Sequence, residues 1–354
     1  MKRVLSGIQS SGQPHLGNYF GAMKRHVEGQ SQYESLIFIA NYHALTTVRD
    51  PELLRKLTLD LAIDYLAIGL DPEKTIFFRQ SDLPELHELA WIFSCITSMG
   101  LLERSHAWKD AKAKGKKEAT VGLFTYPMLM AVDILIYKPN LVPVGKDQKQ
   151  HVEMTRDIAE KFNHTFGETF PLPEPDIDES VQTVIGTDGE KMSKSYGNTI
   201  SLFATDTEIK NQIMGIVTDS TPLEAPKNPD KCNVFQLYSH LANPQEIATL
   251  RDKYITGGFG FGDAKKLLLQ KWHDTFDPFR EKRFELEKNL DYVEEVLQSG
   301  AKKARSIAKT TLDEVRKWFL RITTRRGSRR GNHLNKIQVP PAINSPPFHL
   351  LMSE

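Results

Sequence analysis

The chain has 354 residues, of which 40% are hydrophobic, 26% charged and 9% aromatic. That is enough apolar material for one large core or two modest domains, and it excludes intrinsic disorder as the general state. With 46 basic and 45 acidic residues the formal charge is +1, which on its own points to no polyanionic partner. Residues 4–8 read as a buried strand, followed by a Gly/Pro-rich turn over 9–17. From there Leu16, Tyr19, Met23 and Val27 fall at helical spacing. A second apolar run at 36–40 is strand-like, and Asp50-Pro51 opens a helix with Leu53, Leu54, Leu57 and Leu61 on one face. Residues 75–78 are strand-like and 85–99 helical, and 141–144 are strand-like and 147–162 helical. Strands alternating with helices of this length predict an α/β fold of right-handed βαβ units around a parallel sheet.

Three prolines in 170–175 mark a linker or surface loop. Beyond Ser201 the chain reads as mostly helical without clear strands, which predicts a smaller all-helical domain. Residues 321–354 carry five arginines and Lys336 against Glu354 alone, and nothing in them is periodic, so a disordered basic tail is expected. Without that tail the charge falls to about −4. The cations that remain are local: Lys109, Lys112, Lys114, Lys116 and Lys117, then Lys191 and Lys194, then Lys302, Lys303 and Arg305. Two cysteines, Cys95 and Cys232, exclude a disulfide scaffold and a four-cysteine zinc site. No run approaches the roughly 20 apolar residues of a membrane span. The N-terminus has no signal-peptide core, so a cytoplasmic location without a membrane partner is expected.

Two segments carry chemistry. The first turn, from Gln9 through Ser10, Ser11, Gly12 and His15 to Gly17 and Asn18, joins a strand to a helix. In a parallel sheet such a junction is a phosphate site, because the helix N-terminus offers free N–H groups and His15 a ring donor. The same residues also suit an ordinary turn with a solvated histidine. The second segment, Lys191-Met192-Ser193-Lys194-Ser195 on a Gly-flanked loop, makes a cationic clamp. Its chemistry fits a triphosphate whose pyrophosphate must depart, since preorganised ammonium groups favour the charge that develops on the leaving group. Together the two are far more specific than either alone.

His15-Leu16-Gly17-Asn18 and Lys191 to Ser195 resemble the two signatures of class I aminoacyl-tRNA synthetases. The blocks Gly122-Leu123-Phe124-Thr125-Tyr126-Pro127, Met130-Ala131-Val132-Asp133-Ile134-Leu135 and Val142 to His151 resemble the tryptophan-specific branch of that family. The likeness extends over roughly residues 1–320. It implies a Rossmann-type, doubly wound parallel sheet in residues 1–187, joined by a C-terminal helix at 291–320. Residues 188–200 would form the signature loop, and 201–290 a helical domain that binds the tRNA anticodon. The implied reaction joins L-tryptophan to tRNA(Trp) through an adenylate, with ATP as substrate, Mg²⁺ held by the ATP phosphates rather than by a protein metal site, and a homodimer as the assembly.

By the same resemblance Gln9, Ser10, Ser11, Gly17, Asn18, Gly145, Lys146, Asp147 and Ile185 line the ATP site, and Lys191, Met192, Ser193, Lys194 and Ser195 close over it. His15, Lys191 and Lys194 are the expected catalytic residues. Asp133 is the expected reader of the indole N–H, a helix cap or a surface ion pair being its ordinary alternatives. Met130, Val142 and Val144 are pocket walls or plain core. His43, Tyr126 and Gln148 are expected around the amino-acid substrate in unsorted roles. Lys112 is a candidate for pyrophosphate, or else part of a solvated tRNA-facing loop. Where many relatives carry Thr-Gln-Phe-Lys this chain has His106-Ala107-Trp108-Lys109, so a polar side chain is missing at Ala107. The tyrosine-specific branch is the nearest alternative, but its pocket needs partners for a phenolic hydroxyl.

Overall fold

The structure is a computed structural model that describes residues 1–113, 119–145, 148–177 and 183–319. Lys146, Asp147, Lys114, Lys116, Lys117 and the 321–354 tail lie outside the described residues, as do the side chains of Ala107 and Lys112. Five parallel strands form one sheet: β1 (Arg3–Ile8), β2 (Glu34–Ile39), β3 (Thr75–Arg79), β4 (Leu141–Pro143) and β5 (Glu174–Asp176), in the order β3-β2-β1-β4-β5. The order reverses between β1 and β4, and a crevice opens there at the carboxyl ends of the strands. Residues 35–39 of β2 are buried without alternation, as expected of a central strand covered by helices on both faces.

β5 corrects the reading of 170–175 as a loop. Val142 pairs with Pro175 and Pro143 with Asp176, so the segment adds a strand to the sheet. A proline fits there because β5 is an edge strand, where the missing N–H interrupts no further ladder. The helix expected over 85–99 is broken: it runs Glu85–Ser94, and a second piece, Met99–Glu103, starts on a Ser98 cap. The amphipathic pattern of the 51–67 helix is also misplaced. Asp50 caps it as expected, accepting from the N–H groups of Glu52 and Leu53. Yet Leu53 is exposed, while every residue from 61 to 68 is buried, because the second half of this helix is covered all round. A helix not singled out by the sequence pattern, Val121–Leu135, carries Pro127 in its interior.

The first helix runs from Leu16 to Gly29 with a π turn at Tyr19–Met23 in its middle. That wide turn leaves His26 buried and Val27 only half-buried. One core lies between the sheet, this helix, the 51–67 helix and the helical segment beyond 206, and Tyr19 meets Phe276 edge-on at 5.2 Å. The other core holds the 85–94, 121–135 and 149–166 helices and the 290–316 helix. This last helix crosses β3 so closely that a Cβ at Gly300 would lie 1.8 Å from the Phe77 carbonyl oxygen. Only glycine permits that contact.

Candidate active site

The first junction and the signature loop are docked on each other. Leu16 N–H donates to the Ile200 carbonyl at 3.0 Å, and Gly17 N–H to the thioether of Met192 at 3.4 Å. Gly12 holds a φ of 125°, a conformation that suits glycine, and a Cβ there would sit 3.3 Å from Lys194 Nζ. Lys194 is exposed as a residue, yet its ammonium is tucked over this turn, and the loss of water there lowers its pKa.

The loop is a short hairpin. Met192 N–H donates to the Val184 carbonyl at 3.0 Å, and Gly186 N–H to the Glu190 carbonyl at 2.7 Å. Asn198 fills the hairpin: its amide donates to Asp188 at 2.8 Å and to the Lys191 carbonyl at 3.1 Å, and its side-chain oxygen accepts the Ser193 N–H at 2.8 Å. Sequence reasoning missed Asn198, and its one signal is its place directly after Gly197, which is in the left-handed conformation.

A cleft of about 770 Å³ runs between the first helix, the end of β4 and the loop. His15, Gly17, Asn18, Val144, Gly145, Lys191, Met192 and Ser193 all line it. Gln9, Ser10, Ser11, Ile185, Lys194 and Ser195 do not. Ser10 is buried and accepts from the Thr58 hydroxyl at 3.3 Å, and Ile185 packs half-buried beside the core. His15 starts the helix, its N–H donating to the Asn18 side chain at 3.1 Å. Burial, with Lys194 adding to it, lowers its pKa to about 4, so the ring is neutral at pH 7. Its Nδ1 is buried without a partner among the described residues, an orphan that a phosphate oxygen or its proton could satisfy.

A second constellation stands at the ends of β2 and β3. Asp133, 1% exposed, receives the Gln80 amide on both carboxylate oxygens at 2.9 and 2.8 Å and meets His43 Nε2 at 2.9 Å. The Gln80 carbonyl oxygen accepts the Tyr42 N–H at 3.0 Å, which fixes the amide's orientation toward Asp133. Asp133 is therefore neither a helix cap nor a surface ion pair, and Gln80 is a partner that sequence reasoning missed. The Tyr126 hydroxyl is hydrogen-bonded to His151 Nε2, and its ring meets His43 edge-on at 6.1 Å. Val142 is core, 3% exposed, while Met130 and Val144 are partly buried beside it. Gln148 stands at the N-terminus of the 149–166 helix. The Gln9 amide donates to the His43 carbonyl at 3.3 Å and links the two constellations.

A family model described as tRNA synthetases class I (W and Y) matches residues 1–277. The tryptophan–tRNA ligase of Fusobacterium nucleatum is 57% identical over 309 residues, covering 87% of this chain and 94% of its own. That of Rhodopirellula baltica is 52% identical over 315 residues, 89% of this chain and 98% of its own. A crystal structure of the tryptophanyl-tRNA synthetase of Campylobacter jejuni, complexed with ADP and tryptophan, superimposes with a TM-score of 0.85 at 47% identity, covering 89% of this chain and 98% of that one.

Proposed function

We infer the function from family membership: this chain belongs to the class I tRNA synthetases for tryptophan and tyrosine, and it attaches tryptophan to tRNA(Trp) with ATP. The tryptophan carboxylate attacks the α-phosphate of ATP, pyrophosphate leaves, and the tryptophanyl group of the adenylate passes to the terminal ribose of the tRNA. No covalent enzyme intermediate is needed, so the protein supplies position and electrostatics.

The observation that carries the site assignment is the docking of Met192 and Lys194 on Gly17 and Gly12, which joins both signatures in one wall. ATP is assigned to the 770 Å³ cleft and the turn beside it, with Gln9, Ser10, Ser11, Gly17, Asn18, Gly145, Ile185 and residues 191–195 as its binding residues; Lys146 and Asp147, which lie outside the described residues, are assigned to ATP by the resemblance alone. His15 acts as a neutral donor to a phosphate oxygen, and Lys191 and Lys194 neutralise the departing pyrophosphate. The cleft's lining is cationic and amide-bearing, a donor set for phosphate and not for a hard cation, so Mg²⁺ is assigned to the triphosphate's own oxygens.

Tryptophan is assigned to Asp133, with His43, Tyr126, Met130, Val142, Val144 and Gln148 around it. Asp133 Oδ1 receives only the shared Gln80 amide, which leaves a lone pair for an indole N–H. A phenylalanine there would leave that acceptor unmatched, at about 1–3 kcal/mol. For tRNA and the homodimer the support is more general. Residues 201–290 are assigned to the anticodon. The subunit contact is assigned to the exposed Trp91, Met99 and Val121, which are 72%, 64% and 77% exposed, on the 85–94, 99–103 and 121–135 helices, the first two of which pack on the third. Among the described residues no helix is long and apolar enough to cross a membrane, and a cytoplasmic location goes with this reading.

Pyrophosphate exchange into ATP, measured with each amino acid in turn, tests the assignment. Exchange is expected with tryptophan alone; exchange with tyrosine and not tryptophan overturns it. Lys194→Ala should lower exchange by about 100-fold or more while tryptophan binding stays close to wild type. Equal loss in both refutes the role of Lys194.

A further inference from the structure

One end of the 770 Å³ cleft is closed by an ion pair that no step of the reaction uses. Arg25, on the first helix, donates from Nη2 to the Asp176 carboxylate at 2.6 Å and from Nη1 to the Asp176 carbonyl oxygen at 3.4 Å. That same carbonyl oxygen accepts the Val144 N–H at 3.3 Å. Asp176 ends β5 and Val144 directly follows β4, so these contacts form a strap from the first helix to the opposite wall of the crevice. β5 has three residues and pairs with β4 alone among the described residues, so the sheet holds it from one side only. Arg25 holds it from the other.

Arg25 lines the cleft ten residues beyond His15 on the same helix. At 1.5 Å per residue that is about 15 Å, comparable to the span of an extended ATP. With the triphosphate at His15 and the signature loop, the base end of the nucleotide points toward Arg25. Behind the strap lies a second cavity of about 290 Å³, whose lining includes Ser6, Gln32, Tyr33 and Ser35. Arg25, His26 and Pro143 border both spaces, so the ion pair stands in the partition between them.

We propose that Arg25 and Asp176 are positioning and size-selecting residues for ATP: their strap fixes the width of the cleft at its base end and keeps purine nucleotides with bulky base substituents out of the cavity behind. The inference rests on the assignment of ATP to this cleft. An apolar cavity of about 150 Å³ already holds a benzene ring, so removing the Arg25 side chain opens room for a substituent of that size. The two side chains are 35% and 29% exposed, and an ion pair this open to water adds little to stability. Variants that break it are therefore expected to fold, with the loss falling on the nucleotide, whose site is no longer held at one width.

Tryptophan-dependent pyrophosphate exchange tests this with Arg25→Ala, Asp176→Asn and the pair. Each single change is expected to raise the KM for ATP about fivefold, with kcat and the KM for tryptophan unchanged. The second change should add nothing to the first. An unchanged KM for ATP in both variants, an equal rise in the KM for tryptophan, or losses that multiply in the pair overturn the strap. N⁶-benzyl-ATP and 2-methylthio-ATP, which carry bulk on either edge of the base, read the size role. Arg25→Ala should raise kcat/KM for at least one of them about tenfold relative to ATP; an unchanged ratio for both overturns it. Gly21→Leu examines the ATP assignment separately. Gly21 lines the cleft and a Cβ there meets no atom within 4 Å, so the new side chain enters the cleft without a clash. The KM for ATP is expected to rise, and a wild-type value overturns the placement of ATP in the cleft itself.

Discussion

Replacing Gln80 by leucine tests how Asp133, the proposed reader of the indole N–H, is held. The side chain is 1% exposed and bonded at both ends. Its amide nitrogen serves both oxygens of Asp133 at 2.9 and 2.8 Å, and its oxygen accepts the N–H groups of Tyr42 at 3.0 Å and His43 at 3.4 Å. A hydrogen bond to a charged acceptor contributes about 1.5–3 kcal/mol, and a backbone N–H stranded in the interior costs about 1–3 kcal/mol. The His43 contact is long, so one N–H is counted as stranded, and Gln80→Leu should lose about 2.5–6 kcal/mol of stability. Asp133 keeps His43 as a partner at 2.9 Å but is free to turn. Urea unfolding reads the stability. Tryptophan-dependent exchange reads the function, where the KM for tryptophan should rise by about tenfold or more with the KM for ATP unchanged. A folded Gln80→Leu enzyme with wild-type tryptophan KM refutes the claim that Gln80 aims Asp133.

Three further outcomes are expected. Asn198→Ala removes the struts of the signature hairpin, and exchange should drop about tenfold while tryptophan binding, read by equilibrium dialysis, holds; a parallel loss of binding argues for a wider collapse. If the proposed homodimer uses the exposed Trp91, Trp91→Asp should give monomers in sedimentation where the wild type gives dimers, since a charge in a desolvated contact has no partner; an unchanged dimer places the interface elsewhere, and a monomeric wild type refutes the homodimer. Burial holds His15 and His26 neutral, each with its pKa lowered to about 4. The unfolded chain takes up those protons first, so stability should fall as pH drops from 6.5 toward 4, by at most about 1.4 kcal/mol per pH unit for each ring. Asp64, raised to about 7, acts in the opposite sense over the same window, so the comparison is wild type against His26→Gln, whose denaturation profile should be flatter. Identical slopes would mean that His26 protonates in place.

What the sequence reveals of this molecule follows from which interactions leave a pattern. β2 and β3 are plain because strands buried on both faces are unbroken apolar runs. β5 is hidden because three residues centred on Pro175 carry turn chemistry, and only the neighbouring β4 makes them a strand. The π turn is hidden because a bulge changes the helical register without changing composition. In the site, His15 and the 191–195 loop stand out because glycines and lysines bracket them. Gln80 does not, because a glutamine after a strand has no period, and its meaning comes from Asp133, which lies on a helix far along the chain. The ion pair of Asp64 with Arg283 is hidden for the same reason, each residue reading as one more charge on an amphipathic helix.

The charge arithmetic is uninformative for a related reason. At physiological salt, exposed charges more than about 8 Å apart are largely screened, so a sum over 354 residues averages groups that never act on one another. The charges that act here do so at contact or across dry protein: Lys194 over Gly12, Asp64 against Arg283, Asp133 between Gln80 and His43. Each is set by its immediate surroundings, and none shows in the total. A near-neutral protein can thus handle two polyanions, ATP and tRNA. The condition is that its cations be placed by local structure, as the loop lysine is over Gly12, and not simply accumulated on the surface.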